Sequence, residues 1–166
     1  MAAPERLLIL DACVLIDICL EDSTLLGLAT SSLGKIVVLS PVLEEVDQLD
    51  DTEIERLGLS IIDPELEVII EATARRGGLS FRDKICLLYS RDSKGTLYTN
   101  DRTLLNAASD YGIDARWGLE ILVELVTAGQ LTSSDALAAA QGICDRSRFP
   151  SDPLISEFRR RLRQVR

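Results

Sequence analysis

The chain is 166 residues long, 46% hydrophobic and 27% charged, a balance that suits one folded domain and excludes a disordered chain. A net charge of −9 argues against a protein that coats nucleic acid, and no apolar run approaches the ~20 residues of a membrane span. Without a single histidine the chain has no Ser-His-Asp or Cys-His machinery, and its four cysteines contain no CxxC pair that would suggest zinc.

Met1 to Arg6 lack the basic start and long apolar stretch of a signal peptide, so a cytoplasmic location is expected. Leu7 to Leu10 read as a buried strand, followed by a helical stretch from Cys13 to Ala29. Ile36 to Leu39 form a second strand, and Pro41 to Leu49 a helix. Leu59 to Ile62 are a weaker strand, then come helices from Pro64 to Arg75 and from Ser80 to Arg91. Gly95 to Thr99 read as a strand, Arg102 to Tyr111 as a helix, and Ile113 to Ala115 as a short last strand. Helices from Gly118 to Ala128, Ser133 to Asp145 and Pro153 to Arg163 complete the chain. Strands alternating with helices predict an α/β fold: a central parallel sheet of four to five strands with helices on both faces. Residues 1–116 make the core, and 117–166 a helical extension packed on the same domain. Cys13, Cys19, Cys86 and Cys144 each sit in an apolar stretch and are expected as buried, reduced thiols. The cations of Arg159-Arg160-Arg161-Leu162-Arg163 suit the solvated last turn of a helix.

In an open parallel sheet, ligands bind beyond the carboxyl ends of the strands. Asp11 directly follows the first strand, and Asn100 and Asp101 directly follow Leu97-Tyr98-Thr99. Each has a structural alternative, because Asp and Asn also cap helices. Asp83, in Ser80-Phe81-Arg82-Asp83, fits a capping box as well as it fits a ligand. On the expected helix from Pro41 the apolar stripe is Val42, Leu43, Val46 and Leu49. Glu44 then points roughly 170° from that stripe and Glu45 about 85°, so Glu45 is the candidate and Glu44 a solvated residue.

Asp11, Glu45, Asp83 and Asp101 brought to one rim would repel, by about 4 kcal/mol for a pair ~4 Å apart at an effective dielectric near 20. A divalent cation turns that repulsion into binding, and an all-oxygen set selects Mg²⁺ or Mn²⁺. Carboxylate-held hard cations serve phosphoryl transfer, which points to phosphodiester hydrolysis.

The same residues carry a family resemblance. Leu8-Ile9-Leu10-Asp11-Ala12-Cys13-Val14-Leu15-Ile16-Asp17 resembles the opening of PIN domains, and Ser40-Pro41-Val42-Leu43-Glu44-Glu45-Val46-Asp47-Gln48-Leu49 their second motif, where the acid corresponds to Glu45. Leu79-Ser80-Phe81-Arg82-Asp83 is similar to the segment of the third acid, and Tyr98-Thr99-Asn100-Asp101 to that of the fourth. The resemblance covers roughly residues 6–115 and implies a Mg²⁺- or Mn²⁺-dependent endoribonuclease acting on single-stranded RNA. It assigns metal to Asp11, Asp83 and Asp101, with Glu45 assisting. Thr99, Asn100, Ser80, Arg82 and Arg102 become orienting, supporting or RNA-steadying groups. Members of this size, VapC-type toxins above all, imply a homodimer neutralised by an antitoxin. The helical end from Trp117 departs from the shortest toxin pattern.

Other Asp-after-strand chemistries fit less well. A haloacid-dehalogenase-like phosphotransferase needs a second Asp at position 13, which is Cys13. A response-regulator receiver lacks its acidic pair and lysine, and a metal-adhesion site lacks its Asp-x-Ser-x-Ser. The remaining alternative is a PIN-like scaffold that binds a protein or RNA without cutting it.

Overall fold

A computed structural model describes residues 5–147 and 151–165. The elements run β1 (Leu7–Leu10), α1 (Ala12–Asp22), α2 (Thr24–Ser32), β2 (Lys35–Leu39), α3 (Ser40–Leu43), α4 (Asp51–Leu57), β3 (Ser60–Ile62), α5 (Leu66–Ala74) and α6 (Phe81–Ser93). Then follow β4 (Thr96–Thr99), α7 (Arg102–Asp110), β5 (Ala115–Trp117), α8 (Glu120–Thr127), α9 (Ser133–Arg146) and α10 (Ser151–Gln164). No helix among the described residues is long and apolar enough to cross a membrane.

The strands form one five-stranded, all-parallel sheet in the order β3-β2-β1-β4-β5. Leu8 to Leu10 and Ile36 to Leu39 are buried along their whole run, as strands covered by helices on both faces must be. The order reverses direction between β1 and β4. That makes their carboxyl ends the switch point at which such sheets open a crevice.

Local chemistry moved several boundaries. The expected helix from Cys13 to Ala29 is two helices, because the Asp22 carboxylate accepts the backbone N–H and hydroxyl of Thr24 (2.9 and 2.6 Å) and so competes with the helical ladder. The expected helix from Pro41 to Leu49 stops at Leu43. Arg82 Nε donates to the Pro41 carbonyl at 2.6 Å, taking the acceptor that Glu45 N–H would need, and Glu45 N–H turns instead to Val42 at 3.1 Å. Between the expected second helix and third strand, Asp50 caps α4 through Glu53 N–H, and Gly58 closes it in the left-handed region (φ 69°). The last strand lies two residues beyond its expected place, at Ala115–Trp117.

Residue 116 lies inside β5, so the sheet itself crosses into the helical end of the chain. Ala136, Ala140, Ile143 and Phe158 join the same apolar cluster as the strands, with α9 packed on α1 and α10 on α8 and α9. Farther from the rim, the Glu124 carboxylate of α8 gathers Arg6, Arg116 and the hydroxyl of Tyr98, tying α8 to the strands.

Candidate active site at the carboxyl ends of β1 and β4

Asp11 is the first residue past β1, and its N–H extends the parallel ladder to the Tyr98 carbonyl (3.1 Å). Its carboxylate is 5% exposed. Oδ1 caps α1 by accepting Val14 N–H at 2.9 Å, and Oδ2 accepts the hydroxyl of Thr99, the buried last residue of β4. The same Thr99 oxygen accepts the N–H of Asp101 at 3.0 Å. One hydroxyl therefore connects the two acids that follow the central strands.

Asp101 caps α7, its Oδ1 accepting Thr103 N–H at 2.7 Å and Leu104 N–H at 3.4 Å. Asp83 closes the capping box of α6: its Oδ2 accepts the N–H (3.1 Å) and hydroxyl (2.7 Å) of Ser80, and Ser80 Oγ accepts Asp83 N–H (3.1 Å). Three helices thus begin around these acids, and their positive N-terminal ends suit anions. Capping consumes only part of each carboxylate. Among the described residues no hydrogen bond reaches Asp83 Oδ1 or Asp101 Oδ2.

Burial pushes the Asp11 carboxyl up to about 6, the bonds from Thr99 and Val14 restrain it, and the charges of Asp83 and Asp101 push it further. On the inner face of α6, the thiol of Cys86 is held well above its usual value by burial and by Asp11, Asp83 and Glu45. These mutual influences put the four sequence candidates in one electrostatic neighbourhood. Cys86 and Cys144 are buried as expected, but Cys13, the second residue of α1, is exposed and Cys19 is half-buried.

The helical-wheel separation of Glu44 from Glu45 does not apply, since α3 ends before either residue. Both carboxylates are exposed and both meet Arg82, Glu45 at 3.0 Å and Glu44 at 3.2 Å. Arg82 is accordingly a brace between α6 and the end of α3. Arg102, exposed at the first position of α7, has no ion-pair partner among the described residues.

Asn100 is buried, and both ends of its amide are bonded inside the protein. Nδ2 donates to Asp17 of α1 (2.9 Å), and Oδ1 accepts the N–H of Gly118 (3.1 Å), where a Cβ would come within 2.9 Å of that oxygen. The hydroxyl of Ser147, after α9, donates to the other Asp17 oxygen at 3.4 Å. Of the two expected roles, orienting substrate or supporting the site from behind, these bonds fit the supporting one.

No protein-family model matches the sequence, and no curated protein matches it either. Among solved structures, a PilT N-terminus domain protein from the hyperthermophilic archaeon Sulfolobus solfataricus P2 matches with a TM-score of 0.57. The match covers 72% of this chain and 92% of the archaeal one at 13% identity. The fold is PIN-like. At that identity the likeness is one of architecture.

Within this PIN-like frame the donor set fits a hard divalent cation in its chemistry: oxygen atoms only, a buried Asp11 whose charge the neighbouring acids disfavour, and lone pairs left over from capping. It is an open set. No three acidic or thiol side chains among the described residues stand close enough to form a ready-made cage. The residue that sequence reasoning passed over is Asp17. Its signal was present, since it is the single charge in the apolar run Ala12 to Leu20, and a carboxylate in such a helix requires a partner.

Proposed function

We propose that this chain is a Mg²⁺- or Mn²⁺-dependent endoribonuclease that hydrolyses phosphodiester bonds in single-stranded RNA. The observation that carries the reading is Asp11, buried at the switch point of the sheet, where burial first and the charges of Asp83 and Asp101 after it hold its carboxyl above the usual range. Asp11, Asp83 and Asp101 would hold the metal, with Glu45 assisting from the segment after α3. A divalent ion bound there supplies charge to neutralise the scissile phosphate and lowers the pKa of the attacking water. Thr99 fixes the orientation of the Asp11 carboxylate, and Arg102 is placed to meet a phosphate beside the start of α7. A toxin role, an antitoxin partner and a homodimer belong to the same proposal and rest on the motif resemblance, while a cytoplasmic location belongs to it on the sequence's lack of a membrane-spanning apolar run.

Cleavage of a mixed single-stranded RNA pool tests it. Wild type cuts with Mg²⁺ or Mn²⁺ and not with chelator, and Asp11→Asn does not cut although it folds. Full activity in Asp11→Asn rules the assignment out. The open arrangement of the acids favours one rival, a PIN-like module that binds RNA or a protein without cutting. Absence of both cleavage and divalent-ion binding in folded wild type would select that rival.

A further inference from the structure

The surface between α6 and α7 is unlike the rest of this acidic chain. Most arginines among the described residues end on a carboxylate, but Arg76, Lys84 and Lys94 form no ion pair there. Lys84, Leu87, Arg91 and Lys94 recur at spacings of three, four and three, one stripe along α6 and its cap. Across from them, α7 ends at Tyr111.

Two hollows open in this groove, and Tyr111 borders both. One, of about 170 Å³, is lined by Arg76, Gly78 and Lys84 among others. Its neighbour, of about 250 Å³, is lined by Ser90 and Lys94 among others. The Tyr111 ring is 49% exposed, and the Arg75 guanidinium lies over it, 4.7 Å from the centroid. The Ser90 hydroxyl is buried in the wall of the larger hollow and hydrogen-bonds to nothing among the described residues. Of the acids nearby, Glu71 pairs with Arg75 and Arg91, Asp92 with Arg91, and Asp114 with Arg116, while Asp110 beside Tyr111 forms no ion pair among the described residues. Lys84 Nζ donates to the Arg75 carbonyl at 2.6 Å and keeps its charge. Arg76, Lys84 and Lys94 against Asp110 leave the patch positive.

The groove also has a direction. Asp83 sits in the first turn of α6, at the acid rim, and Lys94 caps the other end, about 16 Å away at 1.5 Å per residue. We propose that a single-stranded RNA leaves the acid rim along this groove, with phosphates on Arg76, Lys84 and Lys94 and one base stacked on Tyr111. This inference rests on the nuclease reading above. Stacking on an exposed ring needs an unpaired base, which selects a single strand over a duplex.

Binding, read separately from cutting, tests the path. The titration uses full-length Asp11→Asn, chelator and a fluorescent 12-nucleotide single-stranded RNA. Adding Arg76→Glu and Lys94→Glu weakens binding at least tenfold and reduces the slope of log Kd against log salt by about 1.4, for two lost phosphate contacts. Tyr111→Ala weakens it severalfold, and Tyr111→Phe, which keeps the ring, much less. The charge-matched pair Arg159→Glu and Arg163→Glu on α10 leaves it nearly unchanged. An equal loss in that control pair would reduce the effect to bulk charge and overturn the path, as would duplex RNA binding as tightly. Failure to bind single-stranded RNA at all also overturns it, while metal-dependent cleavage by wild type would leave the nuclease reading standing. Binding along the groove without cleavage under any divalent ion would do the reverse.

Discussion

Thr99 donates its hydroxyl proton to Oδ2 of Asp11, and a hydroxyl has only one proton to give. The Asp101 N–H that points at the same oxygen must therefore be the donor of its own bond. Thr99→Val keeps the shape and removes both bonds inside a buried setting. Unfolding free energy should fall by about 1–3 kcal/mol at pH 7 in urea titration, with Thr99→Ser close to wild type. A Thr99→Val protein as stable as wild type would show that the bridge contributes nothing.

Asp11 gives the metal-free protein a definite pH dependence. Its folded value of about 6 lies above the ordinary 3.8, so between those values the folded state holds more protons than the unfolded one. The contribution of this group is complete below about pH 4, is lost as pH rises through 6, and stays lost at neutrality. In chelator, Asp11→Asn should exceed wild type in stability by roughly 1–3 kcal/mol at pH 7, the margin closing toward pH 4. No gain at pH 7 contradicts the burial of an ionised Asp11.

Divalent ions should offset that difference. Mg²⁺ or Mn²⁺ at a hundred times its Kd stabilises a one-site protein by about 2.7 kcal/mol, a rise of several degrees in Tm for a domain of this size. Calorimetry should show the rise in wild type and its absence in Asp11→Asn. Equal rises in both would place the ion elsewhere.

Glu44 and Glu45 divide one arginine between them, so removing either changes stability by less than about 1 kcal/mol. Cleavage should tell them apart. Glu45, not Glu44, is the one whose charge reaches Cys86 together with Asp11 and Asp83. RNA cleavage by Glu45→Gln should drop at least tenfold and that of Glu44→Gln less than twofold; equal losses would remove the distinction.

What could be read in the sequence were features whose cause is local. β1 and β2 show as unbroken apolar runs because helices cover both their faces, and Asp11 and Asp101 show because they sit where such strands end. Features caused at a distance stayed hidden. Arg82 takes the carbonyl of Pro41 from 41 residues away, and nothing near Pro41 announces that its helix will stop. β5 is a three-residue edge strand of intermediate burial, too short for periodicity to fix its position. The strut from Asp17 through Asn100 to Gly118 joins three separate segments, and only the lone charge of Asp17 hinted at it.

The central place of β1 has a consequence for synthesis. Asp11 leaves the ribosome early, but the Thr99 that orients it follows 88 residues later. Closing so long a loop costs chain entropy that only the finished β1–β4 pairing returns. A stalled or truncated product that ends before β4 carries Asp11 and no rim to place it in. Whatever chemistry the rim performs is therefore withheld from the growing chain until its sheet has closed.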